Sequence, residues 1–442
     1  MLTSPLNLLS NGNELIEAEL VQLTKMNAKF THVLFGSKNK IAFITKCELR
    51  GTDYTYLSLE EFANYLGDAP HISKRNAGRA WFQWSGKNRK TEGFGFYPDV
   101  TRAPAAHFNT YIPSPVKPKE GDCSAYLSHI LEVICANDAK VFEYVMQYFA
   151  HIIQRPQEKP SVAIVLKSVE GTGKGTMMRP LLQIVGSHGI QINGDRHITG
   201  QFNGAVANKL LVFADEVNLT SSKEADKVKA FISENTVLLE KKGLEAVAIP
   251  NYARLVLASN NSQVISAGLL ERRYLVLEPS SHKAQDKTYF APLYCWINEG
   301  GASKLMHHLQ QLDIRDFDPF KAPVTEGLID QKLQSFPPHF QFLKEHLTEP
   351  SLFLIGAQAQ QTGTINISDF IKKYINWCLP QKINIKRSTA YSDVGKLMTA
   401  LSGPPEGRSN RGNGKTYNVT NIALMRTRFA EHVGLEPQDI FD

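Results

Sequence analysis

Val162-Ala-Ile-Val-Leu-Lys-Ser-Val-Glu-Gly-Thr-Gly-Lys-Gly-Thr176 is the stretch whose reading decides the fold. Its first five residues are apolar and mostly β-branched, the pattern of a strand buried on both faces in a parallel sheet. A glycine-rich turn follows, and then Met178, Leu181, Leu182 and Val185 recur at helical spacing. Strand, glycine turn and helix in that order are what a phosphate-binding loop needs. Gly171 and Gly173 let the backbone curl until its N–H groups converge on an anion, and the positive end of the next helix adds to the same field. Lys174 supplies a cation for the terminal phosphates.

Two positions depart from the common spelling G-x-x-x-x-G-K-[ST]. Ser168 stands where the first glycine falls. Gly175 stands where a magnesium-binding hydroxyl is expected, which leaves Thr176, one place on, as its substitute. The candidate nucleotide contacts are therefore Ser168, Gly171, Thr172, Gly173, Lys174, Gly175 and Thr176. A tight structural turn is the plain alternative, and the flanking strand and helix argue against it. Pro180, so soon after the loop, is expected to bend its helix. The spelling also resembles the loop of adenylate kinases, small proteins that carry it near the N-terminus, whereas here it follows residue 160.

At 442 residues the chain has room for two or three domains, and 42% hydrophobic with 21% charged residues is the composition of a globular protein. A net charge of +6 permits a polyanionic partner without demanding one. The five cysteines are scattered with no C-x-x-C pair, so neither a zinc site nor a disulfide framework is expected. With no leader pattern and no long apolar run, the expectation is a soluble, cytoplasmic chain with no membrane partner.

Residues 1–112 read as an α+β unit. Thr31–Phe35 and Ile41–Thr45 form a hairpin around Gly36-Ser-Lys-Asn, and a short helix runs from Leu59 to Leu66. Trp81, Trp84 and Phe94 beside Lys87, Arg89 and Lys90 suit either a nucleic-acid surface or, more simply, a small core with a solvated rim. Pro113, Pro115, Pro118 and Gly121 mark a linker, and two amphipathic helices then lead into the loop strand.

Beyond the loop, Leu210-Leu-Val-Phe-Ala ends in Asp215-Glu216, 41 residues after Lys174 (215 − 174). An acid at a strand tip beside a phosphate loop can hold a magnesium shell, and its neighbour can act as general base on the attacking water. Leu255-Val-Leu-Ala ends in Ser259-Asn260, whose amide suits sensing of a γ-phosphate. Between them a hairpin carries Lys241 and Lys242 at its tip, a DNA contact or a solvated turn. Arg272 and Arg273 precede a last strand, either as a salt-bridged edge or as arginines offered to a neighbouring subunit. Near the C-terminus two helices and a basic, glycine-rich ribbon (Arg408, Arg411, Lys415) look like a winged helix or a plain surface loop.

This order of phosphate loop, Asp-Glu strand, lysine hairpin, Ser-Asn strand and trailing arginine resembles the superfamily 3 helicases, hexameric AAA+ DNA translocases of phages, plasmids and other mobile elements. Phe96-Tyr-Pro-Asp99, Asn109-Thr-Tyr111 and Gly121-Asp122 are similar to segments preceding the helicase half of phage and plasmid primase-helicases. The resemblance implies an α/β fold: an AAA+ core with a parallel sheet (156–284) after an α+β domain (1–112) and a helical collar (119–155). A helical packing segment (285–350) and a winged-helix-like DNA-binding domain (351–442) would follow. It implies ATP and Mg2+, with Asp215 and Thr176 on the metal, Glu216 as base, Asn260 as sensor, and Arg273 or Arg272 as the finger in trans. Lys242 and Lys241 would grip single-stranded DNA in the pore of a homohexamer moving 3′ to 5′ at forked duplexes, with a separate primase or polymerase as a further partner. Two other readings share parts of this pattern. A small-molecule kinase has no use for the hairpin, whereas an AAA+ initiator or switch that binds DNA without unwinding shares every ATP-site residue.

Overall fold

The computed structural model describes residues 9, 14–35, 38–47, 51–200, 204–239, 247–353, 363–407 and 415–441. In the N-terminal unit, β1 (Thr31–Phe35), β2 (Lys38–Cys47), β3 (Gly51–Leu57) and β4 (Arg89–Lys90) form a sheet in the order β3-β2-β1-β4. Helix Ala77–Gln83 buries Trp81 against Phe30 and Phe62, and Trp84 joins the same core. These tryptophans are core residues, while the Lys87 ammonium lies over the Phe82 ring.

The short pair β5 (Gly93–Gly95) and β6 (His107–Asn109) straps this unit to the next. Asn109 accepts from the Tyr97 and Tyr111 N–H groups, both at 3.0 Å, and donates to the Tyr97 carbonyl at 2.9 Å. That amide closes the strap so that Phe96 and Tyr111 pack on His188 of the following layer.

The central sheet has five parallel strands: β7 (Ala163–Lys167), β8 (Gly189–Asn193), β9 (Leu211–Asp215), β12 (Arg254–Ser259) and β13 (Tyr274–Leu277), ordered β13-β7-β12-β9-β8. Their period-two alternation serves two cores. Ile164, Leu166, Phe213, Val256 and Leu275 face helices Ala139–Gln154, Lys174–Val185 and Ala302–Gln311. Ala163, Val165, Val212, Leu255 and Val276 face helix Ser222–Ser233 and Leu328. Helices cover both faces, which is why the strands read as unbroken apolar runs.

In residues 119–155, expected as a helical collar, Tyr126, Ile130, Tyr148 and Phe149 share a core with the strands. The expected packing segment, 285–350, divides. Ala302–Phe317 joins the sheet core, whereas Phe336–Leu347 belongs to the C-terminal core. Helix Lys174–Val185 continues through Pro180, and beside that turn the Tyr126 hydroxyl donates to the Met177 carbonyl at 2.7 Å.

Two further strands, β10 (Thr236–Leu239) and β11 (Val247–Pro250), which fall between β9 and β12 in sequence, pair antiparallel as a separate two-stranded sheet. In the C-terminal unit, β14 (Thr364–Asn366) pairs with β15 (Thr416–Asn418), and Glu406 bridges to Thr416. Helices Pro338–Thr348, Ile367–Cys378, Arg387–Ser402 and Ile422–Val433 share one core with them. Among the described residues no helix is long and apolar enough to cross a membrane.

Candidate nucleotide-binding site

The site lies where β7, β9 and β12 end, at the carboxyl edge where open α/β sheets bind ligands. Because β12 sits between β7 and β9, its tip stands between the glycine loop and the acidic pair. Both neighbouring loops are tied to it. Ser168 N–H donates to the Ser259 carbonyl at 3.1 Å, and Val217 N–H to the Ala258 carbonyl at 3.0 Å.

Gly171 and Gly173 have φ of +79° and +91°, a region that L side chains rarely adopt. Space excludes a side chain as well: a Cβ at 171 would lie 2.6 Å from Gln285 Cγ, and one at 173 would lie 2.5 Å from His129 Cε1. Gln285, itself at φ +60°, donates its N–H to the Gly171 carbonyl at 3.1 Å and latches the loop from outside. Ser168 has no left-handed φ, so a glycine is not required there. Its hydroxyl meets that of fully buried Thr172 at 2.8 Å and braces the loop.

Lys174 opens the helix and is buried. Its Nζ donates to Asn260 Oδ1 at 2.7 Å, to the Ser168 carbonyl at 3.0 Å and to the Val169 carbonyl at 3.5 Å. Burial lowers its pKa, against the opposing fields of Asp215 and Glu170. Asn260 Nδ2 in turn reaches Glu170 Oε1 at 3.4 Å. Asp215 Oδ1 accepts from the Glu216 N–H at 3.0 Å, and Glu216 has φ +57° with an exposed side chain. A non-glycine residue in that region is strained, and such strain concentrates at functional sites.

Thr176 is buried, and its hydroxyl reaches that of Tyr294 at 3.4 Å. Gly175 is exposed, with nothing within 4 Å of a Cβ built on it. His129, beneath the loop, sits 3.3 Å from the Gly173 carbonyl and 3.2 Å from the Tyr289 hydroxyl, and burial pushes its pKa down to about 4.

The arginines lie at the other end of the sheet. The Arg273 carbonyl accepts from Ala163 N–H at 2.8 Å, so a whole strand, roughly 13 Å at ~3.3 Å per residue, separates it from the loop of its own chain. Its guanidinium is held by Glu271 at 3.2 Å and by Ser233 at 2.8 Å, while Arg272 is exposed. Lys241 and Lys242 lie outside the described residues, in the connection whose flanking strands pair from Thr236↔Pro250 to Leu239↔Val247. Arg408 and Arg411 also lie outside them, while Lys415 is exposed.

Sequence reasoning passed over Glu170, Gln285 and His129. Glu170 stood inside the quoted loop, and its charge beside Lys174 was the available signal. Nothing in the sequence marks Gln285 or His129 as neighbours of the loop.

A protein family of unknown function, DUF5906, matches residues 166–273, from the end of the loop strand to Arg273. The chain is 27% identical over 179 residues to a curated "DNA Primase-polymerase" of Nitratiruptor phage NrS-1. That stretch covers 39% of this chain but only 25% of the relative's length. Among solved structures, the apo C-terminal region of NrS-1 superposes with a TM-score of 0.67 at 17% identity, covering 95% of this chain and 100% of that one. An A-form apo structure of the same region gives 0.66 at 17% identity, over 91% and 99%. At that identity the likeness establishes the fold: a mixed α/β architecture with a parallel sheet.

Proposed function

We propose that the chain is an ATP-driven DNA translocase of the superfamily 3, AAA+ type, acting in the replication of a phage or other mobile element. The observation that carries this reading is the meeting of Lys174, Asn260 and the Asp215-Glu216 pair at the carboxyl ends of three parallel strands. The name of the NrS-1 relative agrees with a role beside a primase or polymerase.

The loop N–H groups and the start of helix Lys174–Val185 receive the phosphates, with two left-handed glycines giving the curvature. Lys174 exchanges Asn260 and its own loop carbonyls for terminal phosphate oxygens. Glu216 takes the proton of the attacking water, and Asn260 orients that water. Asp215 would contribute a carboxylate to Mg2+, which one or two carboxylates and substrate phosphates commonly hold together. Arg273 or Arg272 would serve the site of the next subunit in a ring, probed by the mixing experiment below. The paired β14 and β15, the Glu406 bridge and helices Ile367–Cys378 and Arg387–Ser402 support a winged-helix-like reading of the C-terminal unit.

Strand displacement on a forked duplex tests the proposal. Unwinding is expected with ATP and not with a non-hydrolysable analogue. Lys242→Ala should keep basal hydrolysis and lose displacement, because a lysine tracking phosphates touches no catalytic group. ATP hydrolysis by the parent chain with no displacement would replace the translocase by a DNA-binding initiator or switch.

A further inference from the structure

Helix Glu326–Gln334 grips both arms of the nucleotide site from behind. Gln331 is fully buried on it. Its Oε1 accepts from Val264 N–H at 2.7 Å and Ile265 N–H at 3.2 Å, while its Nε2 donates to the Ser262 carbonyl at 2.9 Å. Just past the helix, Ser335 Oγ accepts from Ala267 N–H at 3.1 Å and from Gln263 Nε2 at 3.2 Å. These bonds fix the segment that begins two residues beyond Asn260. On the other arm, Asp330 pairs with Lys167 Nζ at 2.8 Å, and Glu278 pairs with the same ammonium at 2.7 Å. Lys167 is the last residue of β7, immediately before the glycine loop.

The opposite side of the helix faces the C-terminal unit, where Ile329 and Leu333 pack with Leu269 against its core. That unit concentrates the charge of the chain. Residues 351–442 hold eleven Lys/Arg against seven Asp/Glu, a net +4 out of the +6 of the whole chain, and the basic excess falls between 367 and 420. A polyanion is drawn most strongly to this unit, and helix Glu326–Gln334 joins it to the segment following Asn260 and to the loop strand.

We propose that helix Glu326–Gln334 couples duplex DNA bound on the C-terminal unit to nucleotide bound at Lys174 and Asn260, with Gln331 and Asp330 as positioning residues. The inference rests on the nucleotide reading above. The contact is suited to transmission because it has little slack: moving the helix strands the buried Val264 and Ile265 N–H groups without an acceptor. Coupling of this kind is reciprocal, so DNA changes ATP affinity by the factor by which ATP changes DNA affinity.

The test is ATP affinity of the full chain with and without a saturating mixed-sequence duplex, together with the reverse titration. The parent should show a change of about five-fold or more, equal in both directions. Asp330→Asn combined with Ser335→Ala should bring the ratio to about one, each ligand alone still binding within about two-fold of the parent. Gln331→Leu should do the same, and the double variant decides the matter if that chain does not fold. A parent that binds both ligands with a ratio of one overturns the coupling and leaves the nucleotide site standing. Folded variants that keep the parent ratio also overturn it. A parent that binds no ATP overturns the nucleotide reading and the coupling together.

Discussion

Lys174 Nζ and Asn260 Oδ1 are joined by a 2.7 Å hydrogen bond that spans the gap between the glycine loop and the tip of β12. The bond gives the ammonium a partner inside a buried site, and on the proposed reading a terminal phosphate competes for it.

Three substitutions separate the roles at that point. Lys174→Ala should weaken both ATP binding and turnover. Glu216→Gln should leave binding intact and slow hydrolysis by about 10²–10⁴-fold, because the amide takes no proton from water. Asn260→Ala should hold the dissociation constant within about three-fold and lower kcat by roughly 10²-fold, as when one oriented hydrogen-bonding group is removed. Parent-rate hydrolysis by Glu216→Gln would take the base assignment away from it.

The loop glycines should respond in opposite ways. Gly171→Ala and Gly173→Ala place a side chain at positive φ and against Gln285 or His129, and should lower Tm and abolish nucleotide binding. Gly175→Ser enters open space in a helix, where serine is favoured over glycine by a few tenths of a kcal/mol. That variant should keep or raise Tm and reduce the Mg2+ concentration for half-maximal hydrolysis, which a metal titration reads directly. An unchanged Mg2+ requirement would mean that a hydroxyl at 175 reaches no metal.

Arginine action across a subunit boundary predicts rescue on mixing. Arg273→Ala and Glu216→Gln chains, each inactive, should regain ATPase activity together, since some interfaces then hold one intact half from each partner. A finger of this kind contributes on the order of 10³-fold or more. Arg272→Ala makes the comparison informative, because Arg272 is exposed whereas Glu271 and Ser233 already hold Arg273. No rescue at any mixing ratio, with assembly intact, would confine both arginines to structural work.

Acid should loosen the fold through buried imidazoles. Burial pushes His129, His188 and His346 down to about 4 and His151 to about 3. His188 has a clear reason to stay neutral: its Nε2 accepts from Ile112 N–H at 2.8 Å, and its Nδ1 meets the Asn208 carbonyl, also at 2.8 Å. The unfolded chain takes up these protons near pH 6.5 and the folded chain does not. Stability is therefore complete above about pH 6.5 and falls as pH drops toward about 4, by ~1.4 kcal/mol per pH unit for each histidine. Tm should hold between pH 7.5 and about pH 6.5 and decline from there to pH 5, and a flat Tm down to pH 5 would show that the imidazoles are accessible to protons.

Much of the sheet domain was legible because its strands are apolar on both faces and end in or are followed by chemistry-bearing residues, as at Asp215, at Asn260 and at Lys174 after the glycine turn. The helices from Ser124 to Gln154 were legible as helices but not as core, since an amphipathic stripe does not say which surface will cover it. Local pattern also misses contacts made by distant backbone. Gln285 reaches Gly171, and Gln331 reaches Val264, through positions that carry no periodic signal. Thr176 is the hydroxyl next in sequence to Gly175, but a step of one residue turns a helical side chain by about 100°, so sequence spacing does not foretell its 3.4 Å contact with the Tyr294 hydroxyl.

The order β13-β7-β12-β9-β8 also governs when the molecule can acquire its structure. Strand β7 pairs with β12 and β13 alone, so the strand that carries the glycine loop has no neighbour while the ribosome is still making β8 and β9. From Lys167 to Arg254 the emerging chain waits on the order of 10 s, at ~5–20 residues per second, with a strongly apolar strand unpaired. Such late, non-local closure slows folding and leaves a sticky edge for chaperones to guard. Shortened chains that end before β12 should be captured by chaperones or lost to aggregates, whatever the quality of their phosphate loop.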